Sequence, residues 1–162
     1  MNYSGTSKLT IEFWLRWNEL LFNSNNDQVM ELTNNFNNSN GGFLINPASS
    51  TSGGRFEVAI GRGTSRNSIY FNRPSVLTWH HYAFVIDTTA SAANQILAYV
   101  DGNPVSVTKG SSGTGAGNFA NSTLYFMSRG GTSQFAPGTL DEVAIYNTAL
   151  SATQISQHYA AR

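Results

Sequence analysis

Hydrophobic and polar positions alternate over Leu9–Trp17, LTIEFWLRW. Ile11, Phe13, Leu15 and Trp17 fall on one face, and Thr10, Glu12, Trp14 and Arg16 on the other. Period two predicts a strand with one face in a core. Trp14 stands on the polar face, so that face is expected to be covered as well. The same reading predicts strands at Val29–Thr33, Phe43–Ile45, Arg55–Gly61, Ser68–Phe71, Leu124–Ser128 and Thr139–Tyr146. The longest apolar run, WHHYAFVID over Trp79–Asp87, is rich in β-branched and aromatic residues. It reads as a central strand with both faces buried. Gln95–Val100 and Pro104–Lys109 flank Asp101-Gly102-Asn103, a hairpin signal.

Polar segments separate these runs: Asn23–Gln28, Asn34–Gly42, Pro47–Gly54 and the low-complexity Gly110–Gly117. All four are expected to be surface loops. The tail differs in kind. Ser151 and Gln154 have capping-box spacing, and Leu150 and Ile155 are placed as a hydrophobic staple. One short helix is predicted over Ala152–Tyr159, held to the body through Ile155 and Tyr159. The expected core includes Ile11, Phe13, Leu15, Val29, Phe56, Val58, Ile60 and Trp79. It continues with Phe84, Val85, Ile86, Leu97, Val100, Phe126, Val143 and Ile145. About ten short strands with frequent turns predict an all-β fold, a two-sheet antiparallel β-sandwich or jelly roll with a short C-terminal helix. No internal repeat or linker divides the chain, so one domain over 1–162 is expected.

Composition narrows the function. The chain has 162 residues, nine Lys+Arg against nine Asp+Glu, and only 11% charged residues. A basic nucleic-acid binder is excluded on that balance. There is no cysteine, hence no disulfide framework or zinc–thiolate site. No apolar run approaches the ~20 residues that span a bilayer, so membrane insertion is not expected. Met1–Gly5 lacks a basic-then-apolar leader, and an export signal is expected on a longer parent or to have been removed. Asn, Ser, Thr and Gly make up 67 of the 162 residues, a bias common in extracellular and virion-surface β proteins.

Four motifs carry a resemblance. They are Thr10-Ile11-Glu12-Phe13-Trp14, then Trp79–Asp87 with its W-H-H opening, then Tyr99-Val100-Asp101-Gly102. The last is Gly138–Asn147 followed by Ala149-Leu150-Ser151. Their residues, order and spacing resemble laminin-G-like jelly-roll domains of the concanavalin A-like lectin/glucanase superfamily. The resemblance implies a sandwich whose last strand runs into a short helix. It also implies a structural calcium at the sandwich rim, with Asp141 in the place of an acidic ligand. Relatives usually have another strand before the T-I-E-F-W strand, whereas only eight residues precede Leu9 here. A shortened or missing first strand would leave a sheet edge uncovered, through which a homo-oligomer could form.

Catalytic relatives hydrolyse glycans with acidic residues at E-x-D-x-x-E spacing, which is absent. Glu12, Glu31 and Glu57 stand alone on their strands, and the adjacent Asp141 and Glu142 point to opposite faces. The expectation is therefore no enzyme. His80 and His81 also face opposite sides and read as structural, while His158 reads as solvated. Between Arg55 and Arg73 lie four arginines and one glutamate. They are either solvated charge or forks for the carboxylate or sulfate of an acidic polysaccharide. Of the aromatics at Trp14, Tyr70, Tyr82, Tyr99 and Tyr125, most belong to packing. The candidate ligand-binding residues are Trp14, Arg62, Arg66, Tyr70 and Arg73, and the candidate metal ligand is Asp141. The expected function is a non-catalytic binding and adhesion module for a glycan or a surface protein. It would be borne on a larger secreted, cell-surface or phage protein and act outside the cell or on a virion. The alternative is a structural virion or surface-assembly domain.

Overall fold

Period-two alternation is realised in two antiparallel sheets. The computed structural model describes residues 2–18, 26–33, 41–61, 65–114 and 117–161. The strands are β1 (Lys8–Trp17), β2 (Met30–Thr33), β3 (Phe43–Ser49), β4 (Arg55–Ile60), β5 (Asn67–Phe71) and β6 (Trp79–Asp87). They continue with β7 (Ile96–Val100), β8 (Asn103–Pro104), β9 (Thr108–Ser112), β10 (Thr123–Phe126) and β11 (Gly138–Tyr146). Helix α1 (Ala152–Ala160) closes the described chain. One sheet has the order β11-β1-β6-β7-β8, the other β10-β2-β3-β4-β5-β9.

The inner faces meet in one core. Ile11, Phe13 and Leu15 of β1 and Phe84 and Ile86 of β6 face Phe56, Val58 and Ile60 of β4, all essentially inaccessible to water. Phe56 stacks on Phe71 with ring centroids 4.8 Å apart and on Tyr82 at 4.9 Å. β6 is paired on both sides, with β1 and with β7. Its second face is also buried: Ala83 and Val85 join Tyr99 and Ile155 in a smaller cluster beneath α1. That arrangement explains the unbroken apolar run of β6.

The helix forms as its signals predict. Ser151 Oγ accepts from the Gln154 amide, and Gln154 Oε1 accepts from the Ser151 amide at 2.9 Å. Ile155 is fully buried, and Tyr159 stacks on Trp14 at 5.8 Å. Here is the cover that Trp14 requires. His158 is exposed, as expected, and it also places Nδ1 2.9 Å from Glu12 Oε2. Helix spacing from the buried Ile155 turns it towards β1.

Several expectations fail on parity or at edges. Trp79, Leu97, Phe126 and Val143 are 42%, 43%, 45% and 38% exposed. In β7, Ile96 and Ala98 point inward, so Leu97 points outward. Trp79 shares the parity of Ala83 and Val85 but lies at the start of its strand. Phe126 and Val143 sit on the edge strands β10 and β11. The Pro47–Gly54 segment is not wholly loop, because β3 runs to Ser49. A register shift between Asn46 and Ser49 accommodates Pro47, which cannot donate to the ladder. Gly110–Ser112, expected in a loop, belongs to β9 and pairs with β5. Of the segment expected as a strand at Pro104–Lys109, only its ends are strand. The chain crosses there from one sheet to the other.

β1 is not an uncovered edge, since it lies between β11 and β6. The residues before it run beside the segment that leads into β10. Asn2 bridges Asn121, and Thr6 O accepts from the Phe119 amide at 2.9 Å.

Candidate functional site

The outer face of the six-stranded sheet is built by the residues that alternate with its core. Glu31 lies opposite Leu44 and Tyr125, and Glu57 lies opposite Asn46 and Tyr70. Glu31, Asn46, Glu57 and Ser68 are at most 3% exposed, although they point away from the core. A cleft of about 440 Å³ opens over them.

Buried carboxylates need partners, and each here has an arginine. Glu57 accepts from Arg66 Nη2 and, at 2.6 Å, from Ser49 Oγ. Arg129 Nε lies 3.3 Å from Glu31 Oε1. Burial pulls the Arg129 guanidinium below its ordinary range, against the opposing effect of the Glu31 charge. Tyr70 directs its hydroxyl to Thr51 Oγ1 at 3.0 Å and to Glu57 Oε1 at 3.3 Å. Arg55 covers its ring at 5.4 Å from the centroid. On the side of β9 the approach is closer still. A Cβ on Gly110 would lie 2.1 Å from Tyr70 Cε2 and 2.5 Å from Ser68 Oγ, so only glycine fits there. Tyr70 therefore offers the cleft its hydroxyl rather than a free ring face.

Asn26, Gln28 and Asn46 also line the cleft. Asn46 Oδ1 accepts from the Ala48 amide at 2.8 Å, within the β3 irregularity. Gln28 Nε2 donates to Asn26 O at 2.8 Å, whereas its buried Oε1 has no hydrogen-bond partner. An unsatisfied buried acceptor at a cleft wall marks a place for a donor from outside the chain.

Arg66 and Tyr70 are thus brought together in the cleft. Arg62 lies outside the described residues. Arg73 lines a separate narrow cavity with Trp17 and Tyr82. Trp14 is on the other sheet, packed against His81 at 5.5 Å and Tyr159. Asp141 is exposed on β11, and its Oδ1 accepts from the Glu142 amide at 2.8 Å. Among the described residues no group of three or more His, Asp or Glu could hold a metal ion. A calcium on Asp141 would therefore depend on backbone carbonyls for its other ligands. Asp101 receives His80 Nδ1 at 2.7 Å on one oxygen and the His81 backbone amide at 2.9 Å on the other, so the His80 ring is engaged in holding the hairpin corner.

Sequence reasoning missed Asn26, Gln28, Asn46 and Arg129 in the cleft. Arg129 had a signal, being the one charged residue between Lys109 and Asp141. The three amides had none, because Asn and Gln in polar segments of this chain are too common to stand out. Glu31 and Glu57 stand alone on their strands, as expected, yet the sheet brings them to one face. From strand spacing and rise their Cα atoms are roughly 12 Å apart.

Among the described residues no helix is long and apolar enough to cross a membrane. No curated protein sequence matches the chain. Structural likeness is extensive at low identity. A botulinum neurotoxin serotype G binding domain aligns with TM-score 0.69 and 16% identity, over 99% of this chain and 37% of that one. A heptameric SAP-like pentraxin from Limulus polyphemus aligns with TM-score 0.67 and 14% identity, over 96% and 71%. The binding domain of botulinum neurotoxin DC, solved in complex with rat synaptotagmin II, aligns with TM-score 0.70 and 15% identity, over 98% and 36%. The chain thus spans little more than a third of the toxin domains. The family profile of the concanavalin A-like lectin/glucanases superfamily, laminin-G type, matches residues 2–156, and the chain belongs to that family.

Proposed function

We propose that this member of the concanavalin A-like lectin/glucanases superfamily is a non-catalytic binding module that takes a carbohydrate in the cleft of its six-stranded sheet. It would act on the surface of a larger secreted, cell-surface or phage protein. The observation that carries the reading is the buried polar floor of the cleft. Sugar hydroxyls both donate and accept. Arg66 and Arg129 supply donors, Glu57 and the unpaired Gln28 Oε1 supply acceptors, and Asn46 supplies both. With the Tyr70 ring covered, recognition rests on hydrogen bonds rather than stacking. Toxin binding domains of similar fold form complexes with rat synaptotagmin II and with SialylT, and cell entry of a similar toxin depends on two ganglioside molecules, so this fold can serve binding.

The pairing of the two cleft glutamates with arginines argues against hydrolysis. A retaining site needs carboxyl groups ~5–5.5 Å apart and an inverting site ~6.5–9.5 Å. Glu31 and Glu57 are set farther apart at the backbone, and each is engaged by an arginine.

A glycan array that includes sialylated and sulfated sugars tests the reading. Binding is expected, weakened about tenfold by Arg66→Gln in a variant whose circular dichroism is unchanged. An array without hits, together with concentration-dependent assembly in sedimentation, would replace it with the structural surface-assembly reading. Release of reducing ends from β-glucans would refute the non-catalytic part. Calcium on Asp141 is a further part of the proposal, and a thermal melt unmoved between calcium and chelator removes it.

A further inference from the structure

We propose a second site, on the outer face of the five-stranded sheet, in which Glu12, Glu142 and Trp14 receive a primary alkylammonium group between β11 and α1. The site is distinct from the cleft and does not depend on the carbohydrate reading. A cavity of about 140 Å³ lies there, lined by Glu12, Trp14, His81, Glu142, Tyr146 and His158, with Ala144 in its floor. It admits a protonated amine and the carbon that bears it, with the rest of the ligand outside.

Charge is the first argument. Glu31, Glu57 and Asp87 each have an Arg or Lys within ion-pair distance. Glu12 is only 4% exposed, and its single ionic partner among the described residues is His158, which meets Oε2. Its other oxygen, Oε1, is buried with no hydrogen-bond partner. No Lys or Arg is among the described residues that line the cavity. A buried carboxylate oxygen in this state calls for a cationic donor. Glu142 adds a second acidic group from the β11 irregularity, where its φ is +47°. A non-glycine residue there is strained, and such strain collects at ligand clamps.

The walls fit the same ligand. Trp14 and Tyr146 give aromatic surface on which a cation and its first methylene can rest. Burial, then the Glu12 charge and hydrogen bonding towards Glu12, push the Tyr146 phenol above its ordinary range, so the ring is a neutral wall whose hydroxyl a stronger, cationic donor would displace from the carboxylate. A quaternary ammonium would satisfy the rings but bring no N–H to the buried oxygen. The orphaned acceptor therefore selects a primary amine. A metal ion is disfavoured, since no three acidic or histidine groups among the described residues could hold one.

The test uses the whole chain, with Trp14 fluorescence and titration calorimetry as readouts. The probes are glucosamine, putrescine, N-acetylglucosamine and tetramethylammonium. Saturable binding of glucosamine or putrescine is expected, and the tighter of the two identifies the source as an amino sugar or a free polyamine. Glu12→Gln should weaken binding about tenfold or more, and the exposed Glu142→Gln about threefold. Glu142→Gln keeps the test decisive if Glu12→Gln does not fold. His158→Gln should leave binding equal or tighter, because it frees Glu12 Oε2. Trp14→Phe should abolish the fluorescence response while the calorimetric signal persists. Equal binding of N-acetylglucosamine or tetramethylammonium overturns the proposal. So does indifference to both Glu substitutions, or no binding of either amine.

Discussion

The two outer faces of the sandwich start from the same alternation and end differently. On the five-stranded sheet the outward residues of β6 and β7 are Ala83, Val85 and Tyr99, and α1 lays Ile155 on them. On the six-stranded sheet the outward residues are Glu31, Asn46, Glu57, Ser68 and Tyr70, buried beneath a polar cleft. The first face is closed by apolar contact and the second by ion pairs and hydrogen bonds between strands. A sheet face can thus lose its water in two ways, and groups able to meet a ligand remain only where polar side chains line it, across the cleft of the second face and around Glu12 beside the apolar patch of the first.

That contrast can be broken from either side. Ile155→Ala should cost the most, about 2–5 kcal/mol in urea unfolding, because it leaves a cavity under a one-residue anchor. Loss of the helix signal by circular dichroism with the sheet intact would instead show that α1 is dispensable. Glu57→Ala should cost about 3 kcal/mol by leaving Arg66 facing a buried gap, whereas Glu57→Leu with Arg66→Leu should recover most of it. If single and double variants are equally unstable, the cleft is held by something other than this pair. Ser151→Ala should cost about 1 kcal/mol through the lost cap, read as a lower melting temperature.

The smallest effect sharpens the electrostatic side. Burial pushes the Asp87 carboxyl up, but the Thr89 hydrogen bonds and Lys8 outweigh it and hold it below its ordinary range. Lys8 and Asp87 lie 2.9 Å apart and are partly exposed, so the pair contributes less than about 1 kcal/mol. A depressed folded pKa stabilises above the unfolded pKa and is lost as pH falls through the folded one. Asp87→Asn should therefore lower stability slightly at neutral pH and not at all once wild-type Asp87 is protonated. A variant equally destabilised at both extremes would contradict this.

Much of the fold was legible because it rests on local periodicity. β1, β4, β6 and α1 stand where alternation and capping signals put them. Trp79 and Leu97 misled because a hydrophobic residue in a strand is inward or outward by parity with its neighbours, and both faces of β6 and β7 are apolar. β9 was hidden by a Gly/Ser-rich sequence whose pairing is dictated by the Tyr70 ring, a contact forty residues away in the chain. The site was legible only in Arg66 and Tyr70. Gln28, Asn46 and Arg129 are assembled by strand order, which no single stretch of sequence states.

The Asp101-Gly102 corner carries one more implication. Its two central residues have φ of 50° and 73°, as a tight two-residue hairpin requires. The Asp101 carboxylate also fastens the start of β6 through His80 and the His81 amide. A hairpin alone aligns β7 with β8, but this latch fixes β6 as well, to the single residue. A slip of one position would turn Tyr82 and Phe84 out towards the helix and bring histidine into the heart of the sandwich. One short acidic side chain thereby guards the sheet against its mirror arrangement of inside and outside.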